Sequence, residues 1–279
     1  MKHNLSSAVT GTFGVLVLLV LLFPLICTAA LSVFSSVDLG FYYFHGNAID
    51  SLKLIPDNFT LAQYAQALCY NTNYTRALTN SVLYTTLTVL LAAITALPAA
   101  YALVFCRLRS RKIILVLLFA IMVLPIQAIE IPQWLMMRKW GILGSDASII
   151  LTGVIEPFDV LLLTIFFSAV PRETLEAAAV DGAGTLRTMV RIVFPQAMHG
   201  IVLMFLLKFI QIWNMTEQPV LFLDDTTHQP LSVMLSALCE ADTASAFGFS
   251  MVFLLPPLLL YGVFGDRMQG VMYRASVQK

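Results

Sequence analysis

Glu176–Pro195 reads EAAAVDGAGTLRTMVRIVFP, a polar and gently amphipathic insert between two long apolar segments. Pro171 to Leu175 lead into it. Glu176 to Val180 are good helix formers, Gly182 and Gly184 break the run, and a second helical piece follows. The expected structure is a helix, a two-glycine corner and another helix. Fixed at both ends to apolar segments, such a unit can act as a lever between a partner and a helical bundle. Ala177, Ala178 and Ala179 give it a small-residue face, Glu176 offers a carboxylate to a partner's Arg, and Gly182 permits a left-handed turn. Beyond the corner Leu186, Met189, Val190 and Val193 fall on one apolar side, Arg187 and Arg191 form an i, i+4 basic pair, and Pro195 marks the passage into the next span.

Composition sets the class around this insert. Of 279 residues, 59% are hydrophobic and 11% charged, with a mean hydropathy of +0.84, far outside an ordinary soluble domain. The apolar residues fall in blocks of about 20, the length that crosses a ~30 Å hydrocarbon layer as helix. Ten-residue alternating strand patterns are absent, so the expected fold class is all-α, a polytopic membrane protein with lipid as a partner. With 16 basic and 16 acidic residues there is no net field to attract nucleic acid.

Six transmembrane helices are expected, at about 11–34, 78–105, 113–134, 149–170, 200–216 and 246–264, in a single domain over 1–279 with 171–199 as a loop. Met1 to Thr10 is a short polar start. The first run is too long for a signal peptide and lacks a cleavage pattern, so it reads as a retained helix kinked at Pro24. Within Ser35 to Tyr74, Leu61, Tyr64, Ala65 and Leu68 stand at helical spacing, suggesting a short helix on the outer surface. Ala92, Ala96 and Ala100 form either a close-packing stripe or simple alanine richness. Gly141 and Gly144 mark an outer turn, and Glu217 to Thr243 reads as a polar outer loop. About 11 of the 16 basic residues then lie inside, Arg107, Arg109, Arg111 and Lys112 among them, which puts both termini and the 171–199 loop in the cytoplasm.

Charged groups inside spans cost about 2.5–3.5 kcal/mol on insertion scales, so Glu156, Asp159 and Lys208 point to a polar interior. Glu156 or Asp159 either lines a pathway or pairs with Lys208. Pro157 leaves carbonyls near residue 153 without their helical donor. Trp213 and Asn214 suit contact with a polyol, or else belong to an interfacial aromatic belt. Cys27 and Cys106 read as packing residues, while Cys69 and Cys239, both placed outside, either pair or remain two thiols, the latter preferred. The chain carries no phosphate-binding G-x-x-x-x-G-K-[ST] loop, no metal-ligand cluster and no catalytic constellation. Its histidines, His3, His45, His199 and His228, read as solvated or capping residues.

The register Glu176-Ala177-Ala178, three residues, Gly182, nine residues, then Ile192, Phe194 and Pro195 resembles the EAA signature of permease subunits in ATP-binding-cassette importers, with Phe194 where Leu is usual. Several further stretches resemble the carbohydrate-type branch, relatives of the inner-membrane maltose and glycerol-3-phosphate importer permeases. They are NFTLAQY, the Leu78-Thr79-Asn80-Ser81 start of span two, AAYALVFCRLRSRK, Leu124-Pro125 with IPQWLMMRKWGIL, FFSAVPRETLEAAAVDGAG, and Trp213, Asn214 and Pro219. The likeness runs from about Asn58 to Leu223, and the tail FGDRMQGVMYRASVQK departs from it.

The resemblance implies a type I importer permease fold and a half-pore for a sugar or sugar-like solute in a bacterial inner membrane. The implied partners are a second permease subunit, an ATPase dimer that carries the ATP and Mg, and an extracytoplasmic solute-binding protein. No cofactor is expected on this chain, which is not itself an enzyme. Glu176, Ala177, Ala178, Asp181 and Gly182 would couple to the ATPase. A non-sugar solute such as a glycerophosphate compound is the alternative, and a secondary transporter a more distant one.

Overall fold

The computed structural model describes the backbone of residues 2–40, 53–241 and 243–277, and side-chain surroundings over 12–39, 40, 53–239 and 245–265. His45 and the side chains of the C-terminal tail lie outside the described residues. Every regular element among the described residues is helical. In chain order they are α1 (Lys2–Leu31), α2 (Ser36–Leu39), α3 (Ala62–Ala65, continued by a π-helical turn Gln66–Tyr70), α4 (Thr72–Phe105), α5 (Arg111–Val123), α6 (Ile126–Trp140), α7 (Asp146–Thr152) and α8 (Pro157–Ser168). There follow α9 (Arg172–Val180), α10 (Thr185–Thr188, continued by a π-helical turn Met189–Val193), α11 (Phe194–Gln196), α12 (Met198–Trp213), α13 (Glu217–Phe222), α14 (Leu231–Ala241) and α15 (Thr243–Val277).

Among the described residues, four stretches are long and apolar enough to cross a membrane, namely Thr12–Leu31, Thr72–Phe105, Asp146–Ser168 (α7, a break and α8) and Ser245–Gly265. Two more pairs qualify only when joined across a bend, 100° between α5 and α6 and 82° between Thr185–Gln196 and α12. The 113–134 stretch is therefore not one straight rod. Leu124 adopts an extended conformation before Pro125, as a residue preceding proline prefers, and the helix restarts at Ile126 in a new direction.

The chain forms two compact groups, one of Met1–Arg76 with Met234–Leu255, the other of Ala77–Val233 with Pro256–Lys279. In the first, Gln63 rather than the Leu61 and Leu68 pattern is the buried anchor of the short helix. Gln63 is buried, whereas Leu61 and Leu68 are exposed. Its amide donates to Phe34 O at 2.8 Å and its carbonyl oxygen accepts from Gly248 N at 3.0 Å, so one polar side chain satisfies two buried main-chain groups. Tyr74 donates to Phe249 O at 2.9 Å, with the two rings 4.5 Å apart. Cys69 is exposed, and so is Cys106, which is not the packing residue its apolar setting suggests.

The second group holds the core that positions the site. Ala93, Ala96 and Ala100 of α4 pack with Leu163 and Phe167 of α8, and with Val193, Ala197, Ile201 and Met204 on the way into α12. Ala92, Ala96 and Ala100 are all buried, so the alanine stripe is a packing face. Gly200 is the point of closest approach: a Cβ there would stand 2.2 Å from Phe166 Cγ. The outward faces remain apolar. Phe13, Leu16, Leu19 and Leu21 on α1 and Ile113, Val116 and Phe119 on α5 are more than half exposed, an arrangement that hydrocarbon solvates and water does not.

Residues 217–243 are not an irregular polar loop. Their described residues fold as α13, a short 3-10 turn at Thr226–His228, α14 and, at Thr243, the start of α15. Backbone groups that would go unpaired are taken up by α4. Asn80 Nδ2 donates to Thr227 O and Gln229 O at 2.9 and 3.2 Å, and Ser81 Oγ accepts from Leu231 N at 2.7 Å.

Candidate functional site: an intramembrane charge cluster and a cleft

The break between α7 and α8 builds the site. Glu156 is extended and caps α8, Pro157 takes the first helical position where its missing N–H costs nothing, and Asp159 falls in the first turn, where the helix dipole favours a carboxylate. The carbonyl of Val154 lacks a helical donor and instead accepts from Thr95 Oγ1 at 2.9 Å. Protein thus covers the break, as a membrane interior demands.

Lys208 comes from the middle of α12 and is fully buried. Its ammonium pairs with Glu156 Oε2 and stands 3.1 Å from Asp159 Oδ2. Asp159 is buried as well, whereas Glu156 is part exposed and accepts at its other oxygen from Gln211 Nε2 at 3.0 Å. Glu156, Asp159 and Lys208 therefore meet. Lys208 and Asp159 are sealed inside, and Glu156 alone carries the cluster out to a surface.

That surface is a cleft of about 410 Å³. Its walls are the α5–α6 bend, the α7–α8 break, the end of α12 and the start of α13. Glu156, Gln133, Gln211, Asn214, Glu217 and Gln218 supply its polar groups among apolar neighbours such as Ile121, Met122 and Phe158. Asn214 lines the cleft, with Nδ2 donating to Ile210 O at 2.8 Å. Trp213 does not. It is buried and stacked on Phe209 with ring centroids 5.5 Å apart, so it serves neither as an open aromatic platform nor as an interfacial belt residue.

Two constellations were not singled out by the sequence reading. Glu130 lies within the expected third span, and by the same rule that marked Glu156 it was an intramembrane charge; it is buried and faces Glu217. Gln133, one turn on, gave no signal apart from its polarity. The second is at Asp146, whose Oδ1 accepts from Tyr84 Oη at 2.6 Å and pairs with His228 Nδ1 at 2.7 Å. His228 is thus a partnered residue and not a merely solvated one.

The 171–199 segment supplies the other candidate surface. α9 ends in a left-handed Gly182 with φ 74°, and the main chain closes on itself through Gly182 N to Ala179 O at 3.1 Å and Ala183 N to Ala178 O at 2.9 Å. Glu176, Ala177, Asp181 and Gly182 are exposed, whereas Ala178 is buried and faces inward. The apolar side beyond the corner divides. Val193 is buried and Met189 packs on the core, but Leu186 and Val190 stand out into solvent.

No family model matches the chain. The diacetylchitobiose uptake system permease protein NgcG of Streptomyces coelicolor is 27% identical over 232 residues, covering 81% of this chain and 76% of that protein. The sn-glycerol-3-phosphate transport system permease protein UgpE of Brucella melitensis is 24% identical over 220 residues, covering 75% and 78%. Among solved structures, a bacterial ABC transporter involved in the import of the acidic polysaccharide alginate contains a chain that superposes with a TM-score of 0.79. It has 20% identity and covers 95% of this chain and 97% of that one, a likeness of fold. Both relatives are named as permease proteins. The chain is thus a helical membrane chain that shares its fold with a chain of a bacterial ABC transporter and is similar over most of its length to permease proteins of uptake and transport systems.

Proposed function

We propose that the chain forms half of the translocation pathway for a sugar or sugar-like solute across a bacterial inner membrane, with both termini cytoplasmic. Its partners are a second permease, a pair of ATP-hydrolysing subunits and an external solute-binding protein. The coupling surface is Glu176, Ala177, Asp181 and Gly182, with Ala178 seating the helix from inside. One observation carries this reading. On a polar helix-corner-helix, Val180 is 89% and Leu186 70% exposed, an apolar patch around a carboxylate that a soluble partner would cover. Movement of that partner would turn α9 as a rigid piece and pass through Val193 and Ala197 into α12.

The solute class is supported by the cleft, where the amides of Gln133, Gln211, Asn214 and Gln218 beside Glu156 suit hydroxyl groups. The relatives named for diacetylchitobiose uptake and glycerol-3-phosphate transport bracket the choice between a sugar and a glycerophosphate compound. Lys208, held by two carboxylates, is poorly placed to meet a phosphate, which favours the sugar. The test is purification of the native complex, identification of its subunits, and ATP hydrolysis with and without binding protein for Glu176→Lys. Loss of the stimulated rate with normal membrane insertion is expected. A variant still stimulated to the native rate would remove the coupling assignment.

A further inference from the structure

One face of α6 packs on the bundle and the other does not. Glu130 and Met137 are buried, and Gln133 and Trp134 are half-buried, which fixes the inward face at i, i+3, i+4 and i+7. On the opposite face Ile131 and Leu135, four residues apart, are 66% and 55% exposed, and Met136 and Trp140 are exposed beside them. Arg138 and Lys139 end the helix, both exposed, with the Arg138 guanidinium 5.3 Å from the centre of the Trp134 ring. An apolar outer stripe that finishes in two cations and a Trp suits a helix lying on a membrane better than one crossing it.

Direction and depth agree with this. α5 starts within the basic Arg107–Lys112 stretch, and its 13 residues rise about 20 Å, so it ends in the far half of a ~30 Å hydrocarbon layer. The 100° bend then sends α6 almost perpendicular to α5, along the membrane plane rather than further across it. A second measure comes from α4. Trp134 packs on the cluster of Tyr84, Ile149, Phe222 and Leu223, and Tyr84 precedes Phe105, the last residue of α4, by roughly 30 Å of helix. Trp134 therefore stands near the far headgroup boundary, level with the polar Asp146 bonded to Tyr84. The apolar surface is also continuous: Val116, Phe119 and Val123 of α5 are exposed outside the cleft, and beyond the bend Ile131, Leu135, Met136 and Trp140 are exposed outside it too.

We infer that α6 is an in-plane helix of the leaflet far from Arg107–Lys112, the outer one on the proposed topology, and that its partner is phospholipid. Ile131, Leu135 and Met136 rest on acyl chains, Trp140 sits at the headgroup level, and Arg138 and Lys139 face phosphate. The inward side of the same helix contributes Ile126, Ile129 and Gln133 to the cleft, so lipid holds one wall of that cavity in place. Another subunit lying on the stripe would instead cover it with side chains, and the experiment separates the two.

The experiment uses the purified complex in nanodiscs of phosphatidylethanolamine and phosphatidylglycerol, with its other cysteines replaced. A nitroxide is placed in turn on Ile131→Cys, Leu135→Cys and Lys139→Cys, all exposed positions at which the substitution leaves the core untouched. Relaxation by oxygen, which concentrates in hydrocarbon, is compared with relaxation by a water-soluble nickel chelate. Oxygen is expected to exceed nickel several-fold at Ile131 and Leu135, and the order to reverse at Lys139. Benzoylphenylalanine in place of Leu135, irradiated in the same nanodiscs, should give lipid adducts and no crosslink to another subunit. Nickel reaching Ile131 and Leu135 as readily as oxygen, oxygen exceeding nickel at all three positions, as in a helix that crosses the layer, or a protein crosslink from Leu135 overturns the inference. Stimulation of ATP hydrolysis by binding protein on the same preparation reports the proposed function separately, since none of the lipid readouts depends on it.

Discussion

Lys208 Nζ and Asp159 Oδ2 lie 3.1 Å apart, both side chains buried, on two helices whose sequence positions are about fifty residues apart. Glu156 completes the cluster from the α8 cap. An ion pair of this kind is a weak source of net stability but a strong penalty when broken, because the survivor is left charged and buried. Lys208→Met should therefore destabilise the subunit by about 3–5 kcal/mol, and Lys208→Met with Asp159→Asn should recover a large part of that loss. Thermal unfolding of the purified complex in detergent measures both. Additive losses would mean that the two residues do not interact.

Gly200 allows α12 to lie against Phe166 of α8. Gly200→Ala would put its Cβ 2.2 Å from Phe166 Cγ, and the ring is part of a close-packed cluster. The expected cost is about 1–3 kcal/mol. Adding Phe166→Leu should restore most of it, read as recovery of melting temperature and of folded protein on size-exclusion chromatography. A neutral Gly200→Ala would show that the helices have room to part.

Gly182 and Gly184 separate conformation from space. Neither would bring a new Cβ within 4 Å of other atoms, but Gly182 has φ +74° and Gly184 an ordinary negative φ. Gly182→Ala should cost about 1–2 kcal/mol locally and shift the angle between α9 and the following piece, whereas Gly184→Ala should be close to neutral. Gly182→Asn should fall between them. The ratio of binding-protein-stimulated to basal ATP hydrolysis provides the functional readout.

Asp146 fastens the Thr226–His228 turn through His228 and braces Tyr84, which also donates to His228 O at 2.8 Å. Asp146→Ala should release that turn while leaving the apolar core intact. Hydrogen exchange should rise at residues 224–230, with little change in α4 below Tyr84. Asn80→Ala, which frees the carbonyls of Thr227 and Gln229, should act on the same segment and combine with Asp146→Ala less than additively.

Much of the fold can be read from local signals. The all-helical membrane class follows from composition, and the alanine stripe on α4 follows from spacing, since a small-residue row leaves few other uses in a packed bundle. The Gly182 corner is visible because a left-handed position selects glycine so strongly. The 100° turn at Leu124–Pro125 is only half visible. Proline announces a boundary, but direction depends on what the next helix packs against. Gln63 was missed for a related reason: its burial is decided by Phe34 O and Gly248 N, two main-chain groups that no sequence pattern marks.

The site divides in the same way. Glu156, Asp159 and Lys208 stand out in the sequence because charge inside an apolar span is costly wherever it occurs. Their sequence alone determined that this chain crosses a membrane, that it carries a polar helix-corner-helix, and that a few charges must find partners within it. The tertiary structure decided which partners these are. It sealed Lys208 and Asp159 inside, turned Glu156 towards the cleft, hid Trp213 behind Phe209, and brought Glu130 against Glu217 from helices that are remote in the chain. The physical reason is that the cost of a buried charge is local and can be read residue by residue, whereas its compensation depends on distances set by the packing of the whole bundle.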